Sequence, residues 1–148
     1  MNLPSDRGNC PLCATPHATS VVVQGPRWRL QRAEEAGFPA FYRLVWQAHV
    51  AEMSDLSAPE RQECMELVNL VEALMRSHLR PDKVNLASLG NMVPHLHWHV
   101  IGRYAWDSHF PSPVWCPAQR TADAARLADL QARLPAFEQA LTQALAIG

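Results

Sequence analysis

An α+β domain, in which an antiparallel sheet carries one long helix and a C-terminal helix, is the fold class this 148-residue sequence predicts. Three patterns point to it. Short β-branched and aromatic runs separated by Gly and Pro fill the first fifty residues, an apolar stripe at steps of three and four runs over residues 67–79, and histidine alternates with apolar residues over 95–101. The order strand, strand, strand, helix, strand, strand, helix gives α+β with an antiparallel sheet.

Taken in order, Val21-Val22-Val23 reads as a first strand closed by Gln24-Gly25-Pro26. Residues 27–32 alternate polar and apolar, which fits a half-buried second strand with Arg27 and Arg29 facing solvent on one side. Residues 33–40, with Gly37 and Pro39, form a loop, and the run Phe41-Tyr42-Arg43-Leu44-Val45-Trp46 is a third strand leading into His49. Ser57-Ala58-Pro59-Glu60 has the Ser-x-x-Glu form in which hydroxyl and carboxylate each satisfy a free backbone N–H, so a helix starts there. Its apolar face is Leu67, Val68, Val71, Leu74, Met75 and Leu79, and Pro81 ends it after about six turns. Residues 83–89 return to strand character, Gly90-Asn91 is a turn, and residues 95–104 form a further strand paired antiparallel with it. Residues 105–118 are irregular and rich in aromatics and proline. From Thr121 or Asp123 onward, Leu127, Leu130, Leu134, Phe137, Leu141 and Leu145 trace a last helix, which Pro135 is expected to kink or split.

A chain of this length buries roughly 70% of its unfolded surface in one domain. It is therefore read as a single unit over 1–148, with residues 1–20 as an N-terminal segment able to bind zinc and 105–148 as loop and C-terminal helix. Thirteen basic against fourteen acidic residues leave a formal charge of −1, which excludes an excess cationic field for a nucleic acid polymer or a membrane surface. No run of about 20 apolar residues occurs, and Met1 to Arg7 lacks the apolar core of a signal peptide, so a cytoplasmic protein is expected. In that reducing compartment the close pair Cys10 and Cys13 reads as a metal or redox device rather than a disulfide.

The histidine alternation carries the chemistry. On a strand, Leu96, Trp98 and Val100 enter a core while His95, His97 and His99 project from the other face. The span from His95 to His99 is about 13 Å of strand, and a zinc ion needs each nitrogen at about 2.0–2.1 Å, so at least one ring does something else. A neutral imidazole offers a lone pair that can attack phosphorus or carry protons.

The run His95-Leu96-His97-Trp98-His99-Val100-Ile101 resembles the signature of the histidine triad (HIT) family of nucleotide hydrolases and nucleotidyl transferases. Asn85, the Gly90-Asn91 turn, Val93 and Gly102-Arg103-Tyr104 are similar to the family's flanks, as are the strand, His49 and Asp55-Leu56 upstream. The resemblance implies that His97 attacks the α-phosphorus of a purine nucleotide derivative, a dinucleoside polyphosphate or a nucleoside phosphoramidate, to form a covalent nucleotidyl-histidine. His99 then sits beside the phosphate oxygens or fixes the nucleophile's tautomer. Backbone amides bind the developing charge, Asn85 and Asn91 bind the nucleotide, and the protein is a symmetric homodimer. Where the family carries Gln and then Ser or Thr, this chain has Asn91 and Met92, which removes a leaving-group contact. A transferase of the same mechanism and a non-enzymatic nucleotide-binding protein are the rival readings.

Zinc-carrying HIT relatives, including galactose-1-phosphate uridylyltransferase, imply that Cys10, Cys13, His49 and His95 hold a structural zinc, with His17 as an alternative to His49. A thioredoxin-like role for Cys10 and Cys13 lacks its βαβ context. Cys64, Cys116 and His109 are expected to be structural, and Arg27, Arg29, Arg32 and Arg103 receive no phosphate role. Trp106, Phe110 and Trp115 are packed aromatics, a wall for a base, or a subunit contact.

Overall fold

The computed structural model describes residues 7–14, 16 and 20–146. Five strands, β1 (Val21–Gln24), β2 (Trp28–Arg32), β3 (Phe41–Trp46), β4 (Lys83–Ala87) and β5 (His97–Arg103), form one antiparallel sheet in the order β1-β2-β3-β5-β4. Two 22-residue helices, α1 (Ala58–Leu79) and α2 (Ala124–Leu145), complete the α+β fold that the pattern predicts.

The long helix begins where its capping residues require. Ser57 Oγ accepts from the Glu60 amide and Glu60 Oε2 accepts from the Ser57 amide at 2.8 Å, while Arg80 ends the helix in the left-handed conformation just before Pro81. In α2 the Asp123 carboxylate accepts from the Ala125 and Arg126 amides. Pro135 does not split α2, which continues through it. Phe137, Leu141 and Leu145 are buried on the sheet side of that stretch, and this burial outweighs the backbone hydrogen bond that proline forfeits.

Both helices bear on one face of the sheet, where Leu30, Tyr42, Leu44 and Val100 join Val68, Val71, Met75 and Phe137 in the main core. Gly102 allows α1 to come close: a Cβ there would stand 3.0 Å from Ala40 Cβ and 3.3 Å from Met75 Sδ. The opposite face carries Phe41, Arg43 and Val45 on β3 beside Ile101, His99 and His97 on β5, in direct register. Residues 109–115 fold over that face, with His109 against Phe38, Val114 against the Phe38, Phe41 and Ile101 cluster, and Trp115 edge-on to Phe41 and His99.

A buried ion pair holds this covering loop. Arg103 donates from Nε to Asp107 Oδ2 at 2.9 Å, and reaches Asn85 Oδ1 and the Ser112 carbonyl through Nη1 and Nη2. The Asp107 carboxylate also takes the amides of Tyr104, His109 and Phe110, and these donors, with Arg103, hold its pKa below the usual range against the cost of burial.

Two expectations are corrected on this face. β5 starts at His97 and not at His95, because the His95 amide donates to the Val93 carbonyl at 2.8 Å in a three-residue turn that breaks the strand. Arg29 does not meet solvent: it is 6% exposed, donating to Gln31 Oε1 and to the Leu12 carbonyl beneath the N-terminal segment. Arg27 does face outward and pairs with Glu63.

Asp107→Ala leaves the Arg103 guanidinium buried without its partner, and is expected to lower unfolding free energy by about 3–5 kcal/mol. Urea denaturation of the variant checks this, and a loss below about 1 kcal/mol would count against the pair as the loop's anchor.

Candidate active site and metal centre

The three-residue turn at Val93-Pro94-His95 sends neighbouring histidines to different tasks. His95 is 1% exposed, and its ring leaves the strand face to place Nε2 at 2.6 Å from the Trp46 carbonyl. A carbonyl can only accept, so Nε2 carries the proton and Nδ1 keeps its lone pair. That lone pair faces Cys10 Sγ at 3.4 Å, Cys13 Sγ at 3.4 Å and His49 Nδ1 at 3.2 Å, and Cys13 Sγ lies 3.1 Å from His49 Nδ1.

All four ligand atoms fall within 4.8 Å of one another. Tetrahedral zinc, with Zn–N about 2.0–2.1 Å and Zn–S about 2.3 Å, sets its ligand atoms roughly 3.3–3.8 Å apart, so the residues present fit a four-coordinate metal. The Cys10 turn is closed by the Cys13 and Ala14 amides on the Cys10 carbonyl, and the buried Arg29 supports it from below. Cys10, Cys13, His49 and His95 thus meet as the sequence reading expects. His17 lies outside the described residues.

His97 has the opposite tautomer. Its Nδ1 sits 2.6 Å from the carbonyl of His95, so Nδ1–H donates there and Nε2 holds the free lone pair. The ring lines a cavity of about 350 Å³ together with His99, Arg43, Trp115, Leu12 and Asn91. Burial holds the pKa of His97 below the ordinary histidine value. Burial, then the charges of His97 and Arg43, brings His99 down to about 4, so both rings are neutral near pH 7.

His99 stacks edge-on against His97 at 4.9 Å, Trp115 at 5.3 Å and Phe41 at 5.5 Å. Its Nδ1 is buried with no hydrogen-bond partner among the described residues. Such an atom costs free energy until something polar meets it. The arrangement can therefore present one nucleophilic nitrogen to an anionic group while a second imidazole, still short of a partner, stands beside it.

Asn91 lines the cavity and Met92 is 95% exposed at its rim. Asn85 sits on β4, outside the cavity lining, with its amide oxygen on Arg103. Trp115 is the aromatic of the loop that reaches the cavity, whereas Trp106 stacks on Tyr104 at 5.0 Å. Cys64 is buried on α1, where burial pushes its thiol up to about 11, and Cys116 is exposed.

Sequence reasoning missed Arg43. The signal was present in period two, since Tyr42, Leu44 and Trp46 take the core face and leave Phe41, Arg43 and Val45 beside the histidines. What it lacked was knowledge that β3 and β5 are neighbours, which puts Arg43 directly opposite His99.

An antiparallel α+β domain presenting strand histidines to a cavity beside a Cys/His cluster is the class that fold and site define. The family model described as the HIT domain matches residues 15–106, and the chain belongs to the HIT, or histidine triad, family. A histidine triad protein from Bradyrhizobium japonicum is 27% identical, with a TM-score of 0.67 over 87% of this chain and 96% of that one. A bis(5'-adenosyl)-triphosphatase of Saccharomyces cerevisiae is 35% identical over 60 residues, 37% of this chain; the chain spans 29% of that relative's length. A Zn-bound histidine triad family protein from Mycobacterium smegmatis shares the fold at 15% identity, with a TM-score of 0.62 over 94% of this chain and 99% of that one.

The two carbonyl contacts set an expectation for solution spectra. In a two-bond proton–nitrogen correlation of the imidazoles, His97 should give the Nδ1–H pattern and His95 the Nε2–H pattern. A His97 ring protonated at Nε2 would contradict the tautomer derived from the geometry.

Proposed function

We propose that this protein is a nucleotide hydrolase that cleaves at the α-phosphate of a purine nucleotide derivative through a covalent nucleotidyl-His97 intermediate. The observation that carries this reading is the His97 tautomer: the His95 carbonyl takes Nδ1–H, so the Nε2 lone pair belongs to a ring that lines the cavity. The HIT family match and the partial likeness to a bis(5'-adenosyl)-triphosphatase support a dinucleoside polyphosphate as substrate, with a nucleoside phosphoramidate as the other class.

In the proposed reaction His97 Nε2 forms a bond to the α-phosphorus as the bond to the leaving group breaks, and water then releases the nucleoside monophosphate. One displacement becomes two easier ones. His99 sits beside the phosphate oxygens, and Asn91 contacts the nucleotide from the cavity wall. Asn85 serves nucleotide binding indirectly, by holding Arg103 and the loop that carries Trp115.

The metal of the Cys10, Cys13, His49 and His95 cluster is proposed to be zinc, as in the Zn-bound relative from Mycobacterium smegmatis. In a closed four-ligand site it supplies a structural clasp and no activated water. Pro11 and Leu12, between the two cysteines, belong to the cavity wall, so the clasp shapes the substrate site without touching the reacting atoms.

A single folded unit, homodimeric and cytoplasmic, completes the reading. No helix among the described residues is long and apolar enough to cross a membrane, and a net charge of −1 gives no broad field for nucleic acid.

Incubation with a dinucleoside triphosphate or adenosine 5'-phosphoramidate should give an adenylyl adduct by intact mass. His97→Ala is expected to abolish the adduct and lower turnover at least about a thousand-fold. Turnover retained in that variant would remove the nucleophile from the scheme. Product release that depends on added sugar phosphate or phosphate would assign the protein to the transferases instead.

Protein purified without added metal should hold about one zinc per chain, and Cys10→Ser should lose it. Metal-free protein from both preparations would refute the zinc assignment and leave His97 untouched.

A further inference from the structure

We infer that Arg43 binds a phosphate on the leaving-group side of the scissile bond, which makes this site selective for substrates whose leaving group is itself a phosphate. This rests on the hydrolase reading above and names the substrate class within it.

The cavity that holds His97 and His99 contains no carboxylate in its lining, and Arg43 is its one formal charge among the described residues. The guanidinium is held there by packing. It lies 5.5 Å from the Phe41 ring centroid, and its side chain is 26% exposed. Its nearest carboxylate is Glu35, at 3.9 Å and 55% exposed, and no acceptor among the described residues lies within hydrogen-bond distance. An arginine fork whose donors are uncommitted, in a cavity without acids, is arranged for an oxyanion from outside. His99, its direct neighbour across the strands, lines the same cavity.

Position decides which oxyanion. His97 pairs with Val45 and His99 with Arg43. Arg43 is therefore one strand over and two residues along from the attacking ring, about 4.8 Å sideways and 7 Å lengthwise at the backbone. The α-phosphorus must lie against His97 Nε2. Of the groups on either side of that phosphorus, the ribose and base are neutral and only a leaving-group phosphate carries the charge that a guanidinium without a hydrogen-bonded acid would meet.

Leaving-group chemistry agrees. When His97 Nε2 forms its bond to phosphorus, the electron pair of the breaking P–O bond stays on the departing oxygen. On a phosphate that oxygen is a stable anion which needs charge neutralisation and no proton. A departing amine needs a proton; the lining has no hydroxyl or carboxylic acid, and His99, brought down to about 4 by burial first, holds no extra proton to give near pH 7. Water then adds to phosphorus, its hydroxyl oxygen stays on the nucleotide, and its proton leaves with the products as His97 returns to its neutral state.

The test compares two substrates that share the adenylyl group: a diadenosine triphosphate, which leaves as ADP, and adenosine 5'-phosphoramidate, which leaves as an amine. The measured quantity is the ratio of their kcat/KM values, in which a general folding defect cancels. Arg43→Gln should lower the triphosphate-to-phosphoramidate ratio about 10- to 150-fold, the worth of a charge-assisted hydrogen bond, and Arg43→Lys should keep more of it than glutamine does. A ratio unchanged in Arg43→Gln would overturn the inference, since Arg43 would then serve both substrates equally. Binding without turnover separates this from failure of the hydrolase reading: the wild-type protein should hold ADP about tenfold more tightly than AMP, and Arg43→Gln should erase the difference. Equal affinities for ADP and AMP in the wild type overturn the Arg43 assignment, whereas turnover that survives His97→Ala overturns the nucleophile instead.

Discussion

Two peptide carbonyls govern the chemistry of this molecule. The carbonyl of Trp46 takes the proton of His95 Nε2, and the carbonyl of His95 takes the proton of His97 Nδ1, each at 2.6 Å. Both rings are buried, where an imidazole without such a contact would be free to exchange tautomers. With the contacts made, adjacent histidines of one motif keep lone pairs on different nitrogens and send them to different places. One joins two thiols and His49; the other belongs to the cavity. A tight turn at Val93-Pro94-His95 makes the division possible, since a strand continued back to His95 would put all three rings on one face.

The parts of the fold legible in the sequence are those written in a local period or a local cap. The alternation through Trp98 and Val100 gives β5, the Ser57 and Glu60 pair gives the first turn of α1, and the spacing of Cys10 and Cys13 gives half of the Cys/His cluster. The parts that were not legible depend on which strand lies next to which. Arg29 looks like a surface residue in an alternating strand, and becomes buried because the N-terminal segment crosses over it. Arg43 looks like the polar member of an aromatic run, and acquires its meaning from pairing with His99 across a gap of more than fifty residues. Pro135 carries a local signal to stop a helix, and the packing of Phe137 and Leu141 under α2 overrides it.

The Cys/His cluster and the cavity are one piece of architecture. Residues between the two cysteines form cavity wall, and Arg29 fastens the same turn through the Leu12 carbonyl, so the position of that wall depends on whatever holds the two sulfurs and two imidazoles together. On the other side the buried Arg103 and Asp107 pair fixes residues 105–118 and with them Trp115 against His99. The histidines therefore sit between two clamps, each built from groups remote in sequence from the triad motif. A short motif supplies the histidines; the walls around them come from the rest of the chain.

Burying His99 with an unpartnered nitrogen has a free-energy cost of about 1–3 kcal/mol, and keeping Arg43 half-buried without a hydrogen-bonded acid adds to it. Both lie on the face opposite the helices, while the large apolar burial around Tyr42, Val68, Met75 and Phe137 lies on the other, so the stabilising side of the sheet supports the strained side through shared strands. An anion entering the cavity would meet the Arg43 guanidinium, and the free energy withheld from folding there would return as binding. A guanidinium short of a hydrogen-bonded acceptor, beside two neutral imidazoles in one cavity, is the physical mark of a site built for a ligand rather than for stability.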